Sequence, residues 1–86
     1  TFARFWRELV HMPKRDPLLS ALARAVRTQR EAQGLTQETL AGLAGLDPTY
    51  ISGIERGLRN PGIKNVARLA KALRTTISRL TCGIEQ

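Results

Sequence analysis

The sequence predicts an all-α fold: a compact bundle of five helices, with a candidate sixth at the N-terminus. Three observations carry this reading. Apolar residues recur at helical spacing, as at Leu19, Leu22 and Val26 or at Val66, Ala70 and Leu73. No stretch alternates apolar and polar residues as a half-buried strand would. Stop and start signals separate the helical runs: Gly34, Gly45 and Gly57 at ends, and Thr36, Asp47 and Thr76 where caps belong.

Residues 1–16 form an N-terminal extension and residues 17–86 the domain proper. Phe2, Phe5, Trp6, Leu9 and Val10 make one apolar stripe, and Pro13 to Pro17 is a charged linker bounded by prolines. Three readings of the extension stand open: a short helix packing on the domain, a contact between copies, or sequence foreign to the domain. The third is kept because the chain begins without Met and Met12 offers a second start.

From Pro17 the first helix turns Leu19, Leu22 and Val26 inward, with Arg24, Arg27 and Glu31 elsewhere, and Gly34 stops it. Thr36 caps a second helix, from Gln37 to about Ala44, which Gly45 ends. Asp47 caps a third, with Pro48 at the first position, where a missing N–H costs nothing. That helix runs to about Arg56 and stops at Gly57. After Arg59-Asn60-Pro61-Gly62 a fourth helix turns Ile63, Val66, Ala70 and Leu73 inward. Thr76 caps a short fifth, which contains Ile77 and Leu80.

Composition narrows the function. The 86 residues include 14 Lys and Arg against 7 acids, a formal charge of +7. The sequence pI is near 11.1. So basic a small body implies a polyanionic partner, nucleic acid or an anionic membrane surface. No apolar run approaches the ~18 residues of a membrane span. The start of the chain holds Arg4 and Arg7 without a continuous apolar core, so it does not read as a signal peptide. Cys82 is the only cysteine, which precludes an internal disulfide and suits a reduced, cytoplasmic setting. His11 is the only histidine and lies in the extension. Without Cys/His metal spacing or a glycine-rich phosphate loop, neither a metal, a cofactor nor an enzyme is expected.

The second and third helices carry the functional reading. Two short helices joined by a turn containing Gly make a helix-turn-helix, here roughly Gln37 to Arg56. Leu40, Ala44, Leu46, Ile51 and Ile54 would form its seam, and Ala41 is small where the helices cross. On the third helix, Ile51, Ile54, Glu55 and Leu58 share the inner face. Thr49, Ser52, Gly53 and Arg56 share another, slim and polar and ending in a cation. A helix entering the major groove needs slim residues at base edges and a cation near phosphate. Gly53 lowers helix stability by about 1 kcal/mol relative to Ala, and close approach to DNA is one reason to keep it. A simply solvated face is the alternative for a lone helix; the preceding helix argues against it.

Glu55 places an acid on an apolar stripe, where an unpaired charge would be costly. Arg30 and Arg27 on the first helix are candidate partners, and the expected pair is Arg30 with Glu55, tying the third helix to the first. Thr36 and Gln37 begin the second helix, where N–H groups and the dipole attract phosphate. Arg59, Asn60 and Lys64 flank the turn into the fourth helix and would fix the backbone of the duplex.

The runs Leu35-Thr36-Gln37-Glu38, Leu40-Ala41 and Tyr50-Ile51-Ser52-Gly53-Ile54-Glu55-Arg56-Gly57 resemble the Cro/cI-type, or Xre-like, helix-turn-helix family over about Leu19 to Leu80. The resemblance implies a lambda-repressor-like DNA-binding domain. Within that family, Leu46 to Arg56 followed by Arg59-Asn60 is most similar to the controller proteins of restriction–modification systems, small dimeric regulators of paired operator sites. Carried over, the resemblance implies base contacts from Thr49, Tyr50 and Ser52, backbone contacts from Gln37, Arg59 and Asn60, and the Arg30–Glu55 pair. Pro48 stands where a controller protein can carry a base-reading side chain. Arg74 stands where the family usually has Gly, so a left-handed non-glycine residue is expected there.

The implied partner is a double-stranded DNA operator, bound by a homodimer, since one motif reads few base pairs and paired motifs span half-sites about 34 Å apart. Ile77, Leu80 and Ile84 have little chain left to cover them and are candidates for the isologous interface, the alternative being that they finish the core of their own chain. Two rivals without catalysis remain in the sequence: an antitoxin, with residues 1–12 and Trp6 contacting a toxin protein, and a phage-type repressor.

Overall fold

The structure, a computed structural model, describes the backbone of residues 16–84 and the side chains of residues 16–83. The expectations for the stripe through Trp6, for a protein contact through residues 1–12 and for the side chain of Ile84 lie outside the described residues. Among the described residues there are five α-helices and no strand: α1 (Pro17–Ala32), α2 (Gln37–Ala44), α3 (Pro48–Glu55), α4 (Ile63–Ala72) and α5 (Ile77–Thr81). A single 3-10 turn, Cys82–Ile84, follows.

Four of the five helices begin where a side chain accepts one of their orphan N–H groups. Asp16 Oδ1 accepts the Leu18 N–H at 2.9 Å, so the last residue of the extension is the cap of α1. Thr36 Oγ1 accepts from Thr39 at 3.0 Å for α2, Asp47 Oδ1 from Thr49 at 2.7 Å for α3, and Thr76 Oγ1 from Arg79 at 3.1 Å for α5. Helix α4 starts after Gly62 without such a bond.

The core is one cluster: Leu22 and Val26 from α1, Leu40, Ala41 and Ala44 from α2, Ile51 and Ile54 from α3, and Val66, Leu69 and Ala70 from α4, with Leu73 and Leu80. Helix α3 packs on both α1 and α2; α2 also packs on α4, and α5 closes the bundle against α1 and α4.

Two inward assignments and one interface assignment differ from the periodic reading. Leu58 is 53% exposed and Ile63 is 68% exposed. Helix α3 ends at Glu55 and Gly57 turns left-handed at φ 72°, so the helical period no longer applies at Leu58. Ile63 is the first residue of α4, before the helix meets the core. Leu80, expected at a dimer interface, is 1% exposed and fills the core of its own chain, because α5 folds back over α1 and α4. Ile77, from the same set, stays 36% exposed.

Candidate nucleic-acid interface

Helices α2 and α3 are held at a fixed angle by the turn between them. Gly45 sits at φ 68° and ψ 35°, a left-handed conformation that a Cβ disfavours. Its turn lets the Leu46 N–H reach the Ala41 carbonyl at 2.9 Å, ending α2 and redirecting the chain to the Asp47 cap. The buried Ala41 allows close approach of the two helices, and half-buried Leu46 seals the turn.

A charged clamp holds α3 against α1. Arg30 Nε donates to Glu55 Oε2 at 2.7 Å and Arg30 Nη2 donates to Oε1 at 2.9 Å, a two-pronged pair. The third guanidinium nitrogen donates to the Leu35 carbonyl at 2.7 Å. The side chains are 12% and 3% exposed, so the charges are largely removed from water but fully engaged. The hydrogen bond to Glu55 holds Arg30 above the ordinary guanidinium value; burial opposes this, and the charges of Glu55 and Glu31 add to it. Arg27, the other candidate partner, pairs instead with Glu31 one turn along α1, at 3.0 Å on the exposed face.

The residues expected to meet DNA fall into three groups. Thr49, Arg56, Arg59, Asn60 and Lys64 are exposed, and Ser52 is half-buried beside them. Two others face inward in part. Tyr50 packs against the core, and Asn65 Nδ2 donates to its hydroxyl oxygen at 3.3 Å. Gln37 Nε2 donates to Glu55 Oε1 at 3.3 Å, joining the clamp, while exposed Thr36 caps the same helix end. Asn65 was not singled out by spacing; only its place in the first turn of α4, opposite Tyr50, gives it a role.

Gly53 is the third case. Close approach to DNA is one reason for a glycine here; in the structure the residue is buried and Arg59 of the same chain lies against it. A Cβ at Gly53 would lie 2.6 Å from Arg59 Cγ. Among the described residues no group of three His, Cys, Asp or Glu side chains could hold a metal ion. No described helix is long and apolar enough to cross a membrane.

Comparison with known proteins places this geometry. A helix-turn-helix family model matches residues 26–80. The control protein C.SmaI of Serratia marcescens is 44% identical over 59 residues, covering 69% of this chain and 70% of that protein. The crystal structure of the restriction-modification controller protein C.AhdI from Aeromonas hydrophila is similar at a TM-score of 0.71 and 45% identity, covering 72% of this chain and 94% of that one. The controller protein C.Esp1396I, crystallised as a tetramer with its natural 35 base-pair operator, is similar at a TM-score of 0.73 and 38% identity. That match covers 81% of this chain and 93% of the other.

Proposed function

The chain belongs to the helix-turn-helix family, and we propose that it is a transcriptional regulator that binds double-stranded operator DNA as a symmetric dimer, in the manner of a restriction–modification controller protein. The observation that carries this is the rigid pair α2–α3, whose second helix presents Thr49, Ser52 and Arg56 outward while Glu55 anchors it from behind.

In this reading Thr49 and Ser52 approach base edges in the major groove. Thr49 offers a methyl and a hydroxyl, and Ser52 a hydroxyl that can bond several bases. Tyr50, braced by Asn65, lies at the margin of that face and adds contact area. Arg56, Arg59, Asn60 and Lys64, with the N–H groups that follow Thr36 at the start of α2, neutralise and bond phosphates. Gln37 gives one N–H of its side-chain amide to Glu55 and keeps the other for a phosphate. Ile77 contributes to the contact between copies, and the protein acts in the cytoplasm by binding rather than catalysis. The alternative roles as an antitoxin or a phage-type repressor have no observation among the described residues in their favour.

The test is selection of a preferred duplex from a random pool, followed by fluorescence anisotropy titrations over a range of salt. Expected are a palindromic site, binding well below micromolar at low salt, and a steep loss of affinity as salt rises. Binding no tighter than micromolar, with no sequence preference, overturns the proposal.

A further inference from the structure

We propose that Gly53 is a positioning residue for Arg59: the missing side chain of Gly53 is a seat that holds the stem of Arg59 across α3 and aims its charge at the phosphates beside the bases that α3 reads. The inference deepens the DNA-binding reading above and rests on it for its functional consequence, though not for the seat itself.

Gly53 has no backbone reason to be glycine. The glycines with positive φ are Gly34, Gly45 and Gly57; Gly53 lies inside α3 with helical neighbours on both sides. What it offers is the absence of a Cβ. A Cβ there would meet Arg59 Cγ at 2.6 Å, and Arg59 Cβ and Nε at 3.6 Å each. Carbons in contact lie about 3.5–4.0 Å apart, so the first distance is a collision and the second an ordinary contact. Cγ is in the middle of the stem. Moving it aside means turning the whole side chain about χ1, which carries the guanidinium away with it.

The backbone locks the same arrangement. The Gly53 carbonyl accepts the Leu58 N–H at 2.9 Å and the Arg59 N–H at 3.3 Å, and the Ile54 carbonyl accepts Gly57 at 3.0 Å. This is a Schellman turn with left-handed Gly57 as its pivot, and it doubles the chain back over α3. Arg59 thus leaves the loop directly above Gly53, on the face that also carries Thr49, Ser52 and Arg56. Among the described residues it has no ion-pair partner. A stem already ordered before DNA arrives loses less rotamer freedom on binding.

The experiment is a two-by-two cycle of Gly53→Ala and Arg59→Ala in the full chain, read in two ways. Titrated against the selected duplex across salt, each single variant is expected to bind more weakly, by a factor on the order of ten, with the salt slope reduced by about 1. The double variant is expected to bind no worse than Arg59→Ala. In thermal melts without DNA, Gly53→Ala is expected to leave the melting temperature unchanged or lower, and to raise it once Arg59 is Ala, because the two Cβ atoms are then in ordinary contact. Equal affinity losses in both backgrounds overturn the proposal and return Gly53 to direct approach of DNA. Equal gains in melting temperature in both backgrounds overturn the seat itself. If the unaltered protein selects no duplex, the regulatory reading falls while the melts still decide the seat.

Discussion

Replacing Glu55 with Gln removes one charge from the clamp and leaves its shape nearly intact. Arg30 makes two charge-assisted bonds to Glu55, at 2.7 and 2.9 Å, with both side chains mostly shielded from water. Bonds of that kind contribute about 1.5–3 kcal/mol each, and stripping one partner from a buried pair commonly costs about 3–5 kcal/mol. Gln keeps one carbonyl for Arg30, so the expected loss is smaller, about 2–3 kcal/mol. For a domain of this size each kcal/mol moves the midpoint by about 4–8 °C, which makes the fall about 8–24 °C. Circular dichroism melts at neutral pH read it directly. Arg27→Ala is the control: its exposed pair with Glu31 contributes about 0.5 kcal/mol or less, and its melt should scarcely move. In an Arg30→Met background the Glu55→Gln loss should largely vanish, since the pair is already broken. The arginine's share has a definite sign with pH. Its folded-state value lies above the ordinary one, so its contribution is complete at neutral pH and is lost only as pH rises through the guanidinium range. A Glu55→Gln melt indistinguishable from the parent would refute the clamp as the link between α1 and α3.

Arg74 occupies a left-handed position at φ 54°, where a non-glycine residue carries about 1–2 kcal/mol of strain. Arg74→Gly, net of glycine's greater freedom when unfolded, should therefore raise the melting temperature by a few degrees, and a lower melt would show that the turn is not strained. Leu80→Ala empties a fully buried site and should destabilise the domain by about 2–5 kcal/mol in urea titrations. Ile77→Asp should instead shift the sedimentation of the protein from dimer to monomer, and unchanged sedimentation removes Ile77 from the interface. Thr49→Ala and Ser52→Ala should alter which duplexes are selected, whereas Arg56→Ala should weaken all duplexes alike and lower the salt slope by about 1; a uniform loss from Thr49→Ala would move that residue from base to phosphate.

The parts of this molecule that were legible in the sequence are those governed by neighbours along the chain. Thr36, Asp47 and Thr76 cap helices because a cap bonds two or three residues ahead, and Gly45 turns because the left-handed backbone is a local demand. Glu55 was legible for another reason: an acid on an apolar stripe must find a cation, and the first helix supplied only Arg27 and Arg30 at suitable places. The periodic argument failed where the chain stops being periodic. Helical spacing extended past Gly57 and up to the first residue of α4 turns Leu58 and Ile63 inward, and both are exposed. Leu80 reads as an interface candidate because little chain follows it, yet a helix as short as α5 suffices to seat one leucine against α1 and α4. Gly53 combines both lessons. A helical wheel shows the gap that a glycine leaves, and it cannot show which atoms enter that gap, because they come from a loop that returns over the helix. Five residues lie between Gly53 and Arg59, too far for the wheel and near enough for one Schellman turn. A recognition surface assembled from one helix and the turn that follows it has a composition that is legible by face, but its geometry is set by the turn. Substitutions at Gly57, which touch no proposed contact, should therefore disturb Arg59 as much as substitutions at Gly53 do.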